Sequence, residues 1–328
     1  MKVAVLDDYA GVARDMADWT QLPQAAEVSI FQDHLANEEK LVARLREFQV
    51  IVGMRERTPF PRSLLSQLPE LRLLVTTGQH NATFDVEATA DLGIVVCGTG
   101  GAGAGPYELT WGLMLSMMRR IPQEDQRTRL GKWGTEIGMG LNGNTLGLLG
   151  LGKMGAQMAR VANAFEMNVI AWSQNLTAER AAECHATLVT KDDLFSQSDV
   201  LSIHLRLSER TRGLVGTQEL GLMKPTAYLV NISRGPIVDE AALVDVLQRR
   251  AIAGAALDTF DVEPLPENHP LLKLSNTLLS PHNGFATEEI YLAYYSGVVE
   301  DIRAFANGEP IRVLNPQVLN SPQFKGPA

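Results

Sequence analysis

Along roughly the first hundred residues, short apolar runs alternate with amphipathic ones. KVAVL, EVSIF, QVIVGM, LRLLVTT and GIVVC are short, mainly apolar runs and read as buried parallel strands. The segments between them follow another period. In NEEKLVARLREF, Leu41, Val42, Leu45 and Phe48 fall at helix spacing and make one apolar stripe, and PRSLLSQL reads as a second helix. Strand and helix in alternation predict a doubly wound α/β sheet. CGTGGAGAGP at 97–106 breaks the pattern and predicts a hinge within 98–106. Pro106 then opens a helix with Glu108 in its first turn and Arg119 and Arg120 near its end, charges suited to the helix dipole. Residues 131–144, GKWGTEIGMGLNGN, read as an irregular arm. A second α/β series begins at NTLGLLGLGKMG: a strand, a turn and a helix over 153–166. The strands MNVIAW, VLSIHL, AYLVNIS, AGAALD and NTLLS follow, then an amphipathic helix over roughly 287–306.

Length agrees with two series, since 328 residues exceed one ordinary core. A net charge of −9 argues against general affinity for nucleic acid or anionic membranes. It leaves room for an anionic small substrate held by local arginines. Cys97 and Cys184 make neither a disulfide framework nor a metal-ligand spacing, so no metal is expected. The apolar run in MKVAVLDDY is too short for a signal peptide, and LTWGLMLSMM is too short to span a bilayer. A cytoplasmic protein is the expectation.

Gly150, Gly152 and Gly155 in GLGKMG stand between a strand and a helix that opens with Lys153 and Met154. In a dinucleotide-binding turn the first glycine permits the tight turn. The second lets the backbone approach a pyrophosphate, and the third lets helix and strand pack closely. The helix N-terminus adds unpaired N–H groups. A plain βα turn also carries glycines, and the flanking strand and helix favour the nucleotide. Eighteen residues after Gly155, VIAWSQN offers Ser173, Gln174 and Asn175 where an acidic side chain usually holds the adenosine ribose. Without a carboxylate, nothing there repels a 2′-phosphate. NADP is the favoured cofactor and NAD the alternative, with Arg206 and Arg180 as candidate sources of positive charge.

Three polar motifs follow, each at the carboxyl end of a strand-like run, where open α/β sheets bind ligands. NISRGPIVDE carries Arg234, LDTFDVEPLP carries Asp258 and Glu263, and LLSPHNG carries His282 and Gly284. Singly, these are a loop arginine, turn residues and a structural histidine. In this order, after GLGKMG, they resemble the D-isomer-specific 2-hydroxyacid dehydrogenase family. TTGQHNATFDVEA, SIHLRLSERTRGLV and LMKPTAYLVNISRGPIVDEAAL extend that resemblance over nearly the whole chain.

The resemblance implies two doubly wound Rossmann/flavodoxin-like domains with an active-site cleft between them. Residues 1–103 plus 288–328 would be the substrate (catalytic) domain and 104–287 the dinucleotide-binding Rossmann domain. It implies a homodimer built from the helix and arm within 106–143. The implied reaction moves a hydride between NAD(P)H and a 2-keto acid or D-2-hydroxy acid. His282 is then the general acid and base, and Glu263 orients it and favours its charged form. Arg234 holds the substrate carboxylate and polarises the carbonyl. Asp258 meets the nicotinamide carboxamide, with Gly284 beside the cofactor. Backbone N–H groups at Gly78 and Gln79 make a small anion nest for the substrate, although TTGQHN departs from the family's commoner G-x-G-x-D. Arg55 reaches a substrate side group, while Arg57 and His80 read as solvated loop residues. Gln174 stands where NADP-using relatives often have arginine, and Arg206 where relatives often have proline. Glu263 differs from the glutamine of formate dehydrogenases in this superfamily. The chain ends before the extra domain of longer phosphoglycerate dehydrogenases. Glyoxylate, hydroxypyruvate, a larger 2-keto acid, or 3-phosphoglycerate handled by a short form all remain open. A reading from another class is a dinucleotide-gated, corepressor-like interaction scaffold, since such relatives can keep the same three polar residues.

Overall fold

The computed structural model describes residues 1–101, 103–134 and 136–327. The break at 98–106 and the arm at 131–144 each include one residue, Ala102 and Thr135, outside the described residues. The chain divides into two compact units, Met1–Gly103 with Ala286–Ala328, and Ala104–Phe285.

The first unit has five parallel strands, β1 (Lys2–Val5), β2 (Glu27–Ile30), β3 (Val50–Gly53), β4 (Leu73–Thr76) and β5 (Val95–Gly98), in the order β2-β1-β3-β4-β5. Helices α1 (Glu38–Leu45), α2 (Arg62–Leu65) and α3 (Val86–Asp91) connect them. β3, β4 and β5 are buried at every residue, which is why they read as unbroken apolar runs. Asn37 caps α1, accepting the Lys40 N–H at 3.0 Å, and the stripe buries Leu41 and Leu45. PRSLLSQL yields only one turn of helix. Order reverses between β1 and β3, so the carboxyl ends of these strands flank the usual ligand crevice of such a sheet. Cys97 is wholly buried in β5, and burial pushes its thiol up, so it packs as an apolar residue.

The second unit opens with α4 (Gly105–Met118) and α5 (Ile121–Arg129). Its seven strands are β6 (Thr145–Leu149), β7 (Asn168–Trp172), β8 (Thr187–Leu188), β9 (Val200–Ile203), β10 (Tyr228–Asn231), β11 (Gly254–Leu257) and β12 (Thr277–Leu279). All pair in parallel in the order β12-β11-β10-β9-β6-β7-β8. The crossovers are α6 (Lys153–Ala164), α7 (Ala178–Glu183), α8 (Lys191–Gln197), α9 (Thr217–Leu222) and α10 (Glu240–Gln248). Alternate residues feed two cores. Leu149, Leu201, Leu229 and Ala255 pack with Leu194, Leu220 and Leu243, while Leu148, Val200, Val230 and Ala256 pack with Met114 and Met158. Apolar layers on both faces are what a doubly wound sheet requires. The chain then returns to the first unit as α11 (Glu288–Ala306), capped by Thr287. No helix among the described residues is long and apolar enough to cross a membrane.

Candidate active site

The strand order reverses between β6 and β9, and the glycine turn lies at the end of β6. Its three glycines have separate physical reasons. Gly150 is held at φ +104, where a Cβ would stand 2.7 Å from the His204 carbonyl oxygen. A Cβ on Gly155 would stand 2.2 Å from the Gly150 carbonyl oxygen, so this glycine lets α6 sit against β6. A Cβ on Gly152 would meet no protein atom within 4 Å. The fold does not need a glycine at 152, whereas a phosphate approaching the start of α6 would. Lys153 and Met154 supply the next N–H groups of that helix. Gly152→Ala places a poorer residue at the N-cap of α6, a cost of about 1 kcal/mol, and is expected to lower the melting temperature by no more than about 4 °C. Dinucleotide affinity should fall at least about tenfold, a loss of about 1.4 kcal/mol. Unchanged affinity in a fluorescence titration would remove the turn's assignment.

The order β12-β11-β10 brings three carboxyl ends side by side, and each carries one of the polar motifs. After β10, buried Asn231 turns the chain: its Oδ1 accepts the Ser233 N–H at 3.0 Å and its Nδ2 donates to the Arg234 carbonyl at 3.0 Å. Ser233 Oγ donates to the Ile203 carbonyl at 2.8 Å, and Arg234 Nη1 donates to the Ser233 carbonyl at 2.7 Å. Gly235 then passes so close to the next loop that a Cβ would lie 2.1 Å from the Phe260 carbonyl carbon. Glu263 lies in that loop. Its Oε1 accepts the Phe260 N–H at 2.9 Å and its Oε2 meets His282 Nδ1 at 2.6 Å. With Nδ1 turned to a carboxylate, Nε2 is the nitrogen left for a ligand. Glu263 and His282 are partly exposed, at 32% and 21% of their side chains, so the pair is reachable from solvent.

His282 has φ 52, a left-handed conformation that costs an L-residue roughly 1–2 kcal/mol. Neighbouring bonds hold it there. Asp258, wholly buried, accepts the Asn283 N–H at 2.8 Å and the Gly284 N–H at 2.9 Å, and His282 N–H donates to the Ser280 carbonyl at 3.1 Å. Burial raises the Asp258 carboxyl, and bonds from Ser280, Asn283 and Gly284 oppose that shift. Asp258 and Gly284, expected at the cofactor, are thus bonded to each other, and Asp258 anchors the loop that presents His282.

In the first unit, the expected nest needs correction. The Gly78 N–H donates to Thr99 Oγ1 at 2.7 Å and is not offered to a ligand. Gly78 contributes space instead. At φ +101, a Cβ there would lie 2.0 Å from Arg55 Nη1, so glycine lets the guanidinium rest on this turn. Gln79 and His80 are exposed. Arg55 is itself at φ 52, fixed by its N–H to Thr77 Oγ1 at 2.9 Å and by Asn81 Nδ2 donating to its carbonyl. Arg57 is no solvated loop residue: Nη1 donates to the Asp7 carbonyl at 2.7 Å and its Cζ lies 4.2 Å from the Tyr9 ring centroid.

Ser173 follows β7 directly, and the Trp172 carbonyl accepts the Gly150 N–H at 2.9 Å, so serine and glycine turn are neighbours. Arg206 is exposed with no carboxylate paired to it among the described residues. Arg180 is engaged with Glu183 at 2.9 Å. Close by, His204 Nε2 meets Ser202 Oγ at 2.8 Å, and burial holds the imidazole's pKa down to about 4, so it is neutral.

Residues 111–284 match the family model described as the NAD binding domain of D-isomer specific 2-hydroxyacid dehydrogenases. The chain is 41% identical over 267 residues to a glyoxylate reductase of Aeropyrum pernix, spanning 78% of this chain and 80% of that protein. It is 35% identical over 277 residues to a D-3-phosphoglycerate dehydrogenase of Archaeoglobus fulgidus, spanning 84% of this chain and 52% of that one. The chain thus covers about half the length of this second relative. A crystal structure of a phosphoglycerate oxidoreductase from Vibrio cholerae O395 superposes with a TM-score of 0.89 at 37% identity, covering 94% of this chain and 99% of the other.

Proposed function

Since this chain belongs to the D-isomer specific 2-hydroxyacid dehydrogenase family, we propose that it reduces a small 2-keto acid to the D-2-hydroxy acid, with glyoxylate and hydroxypyruvate the first candidates. The observation that carries this reading is the His282–Glu263 pair beside the Arg234 turn, on neighbouring strand ends of a unit that also holds the glycine cradle. A bound nicotinamide cofactor supplies the hydride that ends on the keto carbon. Glu263 holds Nδ1, so the His282 imidazolium donates its Nε2 proton to the keto oxygen, and the neutral ring takes it back in the reverse direction. Arg234 binds the substrate carboxylate and stabilises charge developing on that oxygen. Arg55 and Gln79 are proposed to bind other polar groups of the substrate. The similarity to a glyoxylate reductase over four fifths of that protein supports a small substrate. Oxidation of reduced cofactor by a panel of 2-keto acids tests the assignment.

We further propose that NADPH is preferred, supported by Ser173 in place of an acid and by exposed Arg206, which has no carboxylate partner among the described residues. Ser173→Asp sets a negative charge where the 2′-phosphate would lie. It is expected to move the ratio of kcat/KM values toward NADH by about tenfold or more, the equivalent of 1.4 kcal/mol. A wild-type enzyme already more efficient with NADH would overturn the preference.

A homodimer is proposed through the α4–α5 region and the arm. Ile121, Leu130, Trp133 and Ile137 are exposed by 52%, 74%, 88% and 95%, an apolar row of a kind expected to be covered by a partner. Trp133→Asp with Ile137→Asp is expected to give monomers by sedimentation at micromolar protein. A dimer persisting in that variant would place the interface elsewhere.

A further inference from the structure

We propose that Glu240, at the first position of α10, is a positioning residue that staples both ends of the loop carrying Glu263. Its carboxylate divides between two partners. Oε2 accepts the Asp261 N–H at 3.3 Å, where the loop begins, and Oε1 meets His269 Nε2 at 2.9 Å, where it ends. The histidine's tautomer follows from its other nitrogen. Nδ1 accepts the Leu271 N–H at 3.3 Å, so Nε2 carries the proton and donates to Glu240. The Glu240 and His269 side chains are 24% and 14% exposed, which shelters the bond from competing water.

Both anchors are fixed. Asp239 caps α10 by accepting the Ala242 N–H at 3.0 Å, and the helix buries Ala242, Leu243, Val246 and Leu247. His269 opens the 3-10 turn Pro270–Lys273, which buries Leu271. Glu263 sits inside the stapled segment, and its Oε1 accepts the Phe260 N–H, one residue before the N–H held by Glu240. Movement at Asp261 is therefore passed to Glu263 and so to His282 Nδ1. Glu240 also lies six residues after Arg234. One carboxylate thus ties the arginine's segment to the loop of the histidine's partner.

The proposal rests on the reading of Glu263 as the partner of a catalytic histidine, and a double-mutant cycle tests it. Glu240→Ala is expected to lower kcat about 10- to 100-fold, the scale on which small misplacements act. Cofactor affinity should stay within about twofold, because the change acts through another residue and not on the nucleotide turn. In a Glu263→Ala background the same change should cost less than about threefold, because its effect runs through the missing side chain. His269→Gln, whose amide nitrogen can replace Nε2–H, should keep most of the rate, whereas His269→Ala should track Glu240→Ala. If Glu240→Ala does not fold, the two His269 variants complete the cycle. Additive losses with Glu263→Ala impaired, or wild-type kcat in Glu240→Ala, overturn the staple alone. Wild-type kcat in Glu263→Ala overturns the reading beneath it and the staple with it.

Discussion

Replacing His282 by alanine is expected to lower kcat about 10²- to 10⁴-fold, the usual contribution of a positioned general acid. The expectation comes from geometry. A single carboxylate fixes Nδ1 at 2.6 Å, and an anchored loop holds the residue at φ 52. A ring held in an unfavourable backbone conformation and aimed by a partner is arranged for more than packing. Alanine should leave affinity for the reduced cofactor close to wild type, because Gly150, Gly152 and Gly155 belong to a different strand end. Stopped-flow measurement of hydride transfer, with fluorescence titration of cofactor, separates the two. A variant that turns over at the wild-type rate would remove His282 from the mechanism.

Arg234→Ala is expected to reduce kcat/KM about 10²- to 10³-fold, the range found when one donor to a developing oxyanion is removed. Both KM for the keto acid and kcat should change, since the guanidinium is assigned to the carboxylate and the carbonyl together. Arg234→Lys should recover little, because an ammonium cannot reproduce a planar two-pronged contact. Added guanidinium should restore part of the rate to the alanine variant and none to His282→Ala. A pure KM effect with kcat intact would confine Arg234 to ground-state binding.

The fold was legible because its central strands, such as β3, β4 and β5, are buried at every residue while helices such as α1 bury one stripe, so the two periods separate. What escaped is local structure without an apolar signature. α5 buries none of its residues and so carries no stripe, and β8 has two residues, too few for a period to show. The catalytic candidates were legible as short motifs, but the bonds that hold them were not. Thr99, which takes the Gly78 N–H, lies 21 residues away along the chain, and the Asp7 carbonyl that receives Arg57 lies 50 away. Such pairings depend on which strand ends become neighbours. Gly235 and Glu240 stood in a recognised motif, yet their partners at Phe260, Asp261 and His269 come from the next crossover. Asp258 showed the same limit: its position was clear, and its bonds to the His282 loop were not.

Hydride transfer from a reduced nicotinamide cofactor to a 2-keto acid can be followed in a single assay. Purified protein is mixed with NADPH, and in parallel with NADH, and challenged with glyoxylate, hydroxypyruvate, pyruvate and longer 2-keto acids. Absorbance of the reduced cofactor is followed, and products are resolved by chiral chromatography. Stoichiometric cofactor oxidation is expected with at least one keto acid, faster with NADPH, and with a D-configured product wherever the product is chiral. Tight cofactor binding with no oxidation across the panel would contradict it and favour a corepressor-like scaffold.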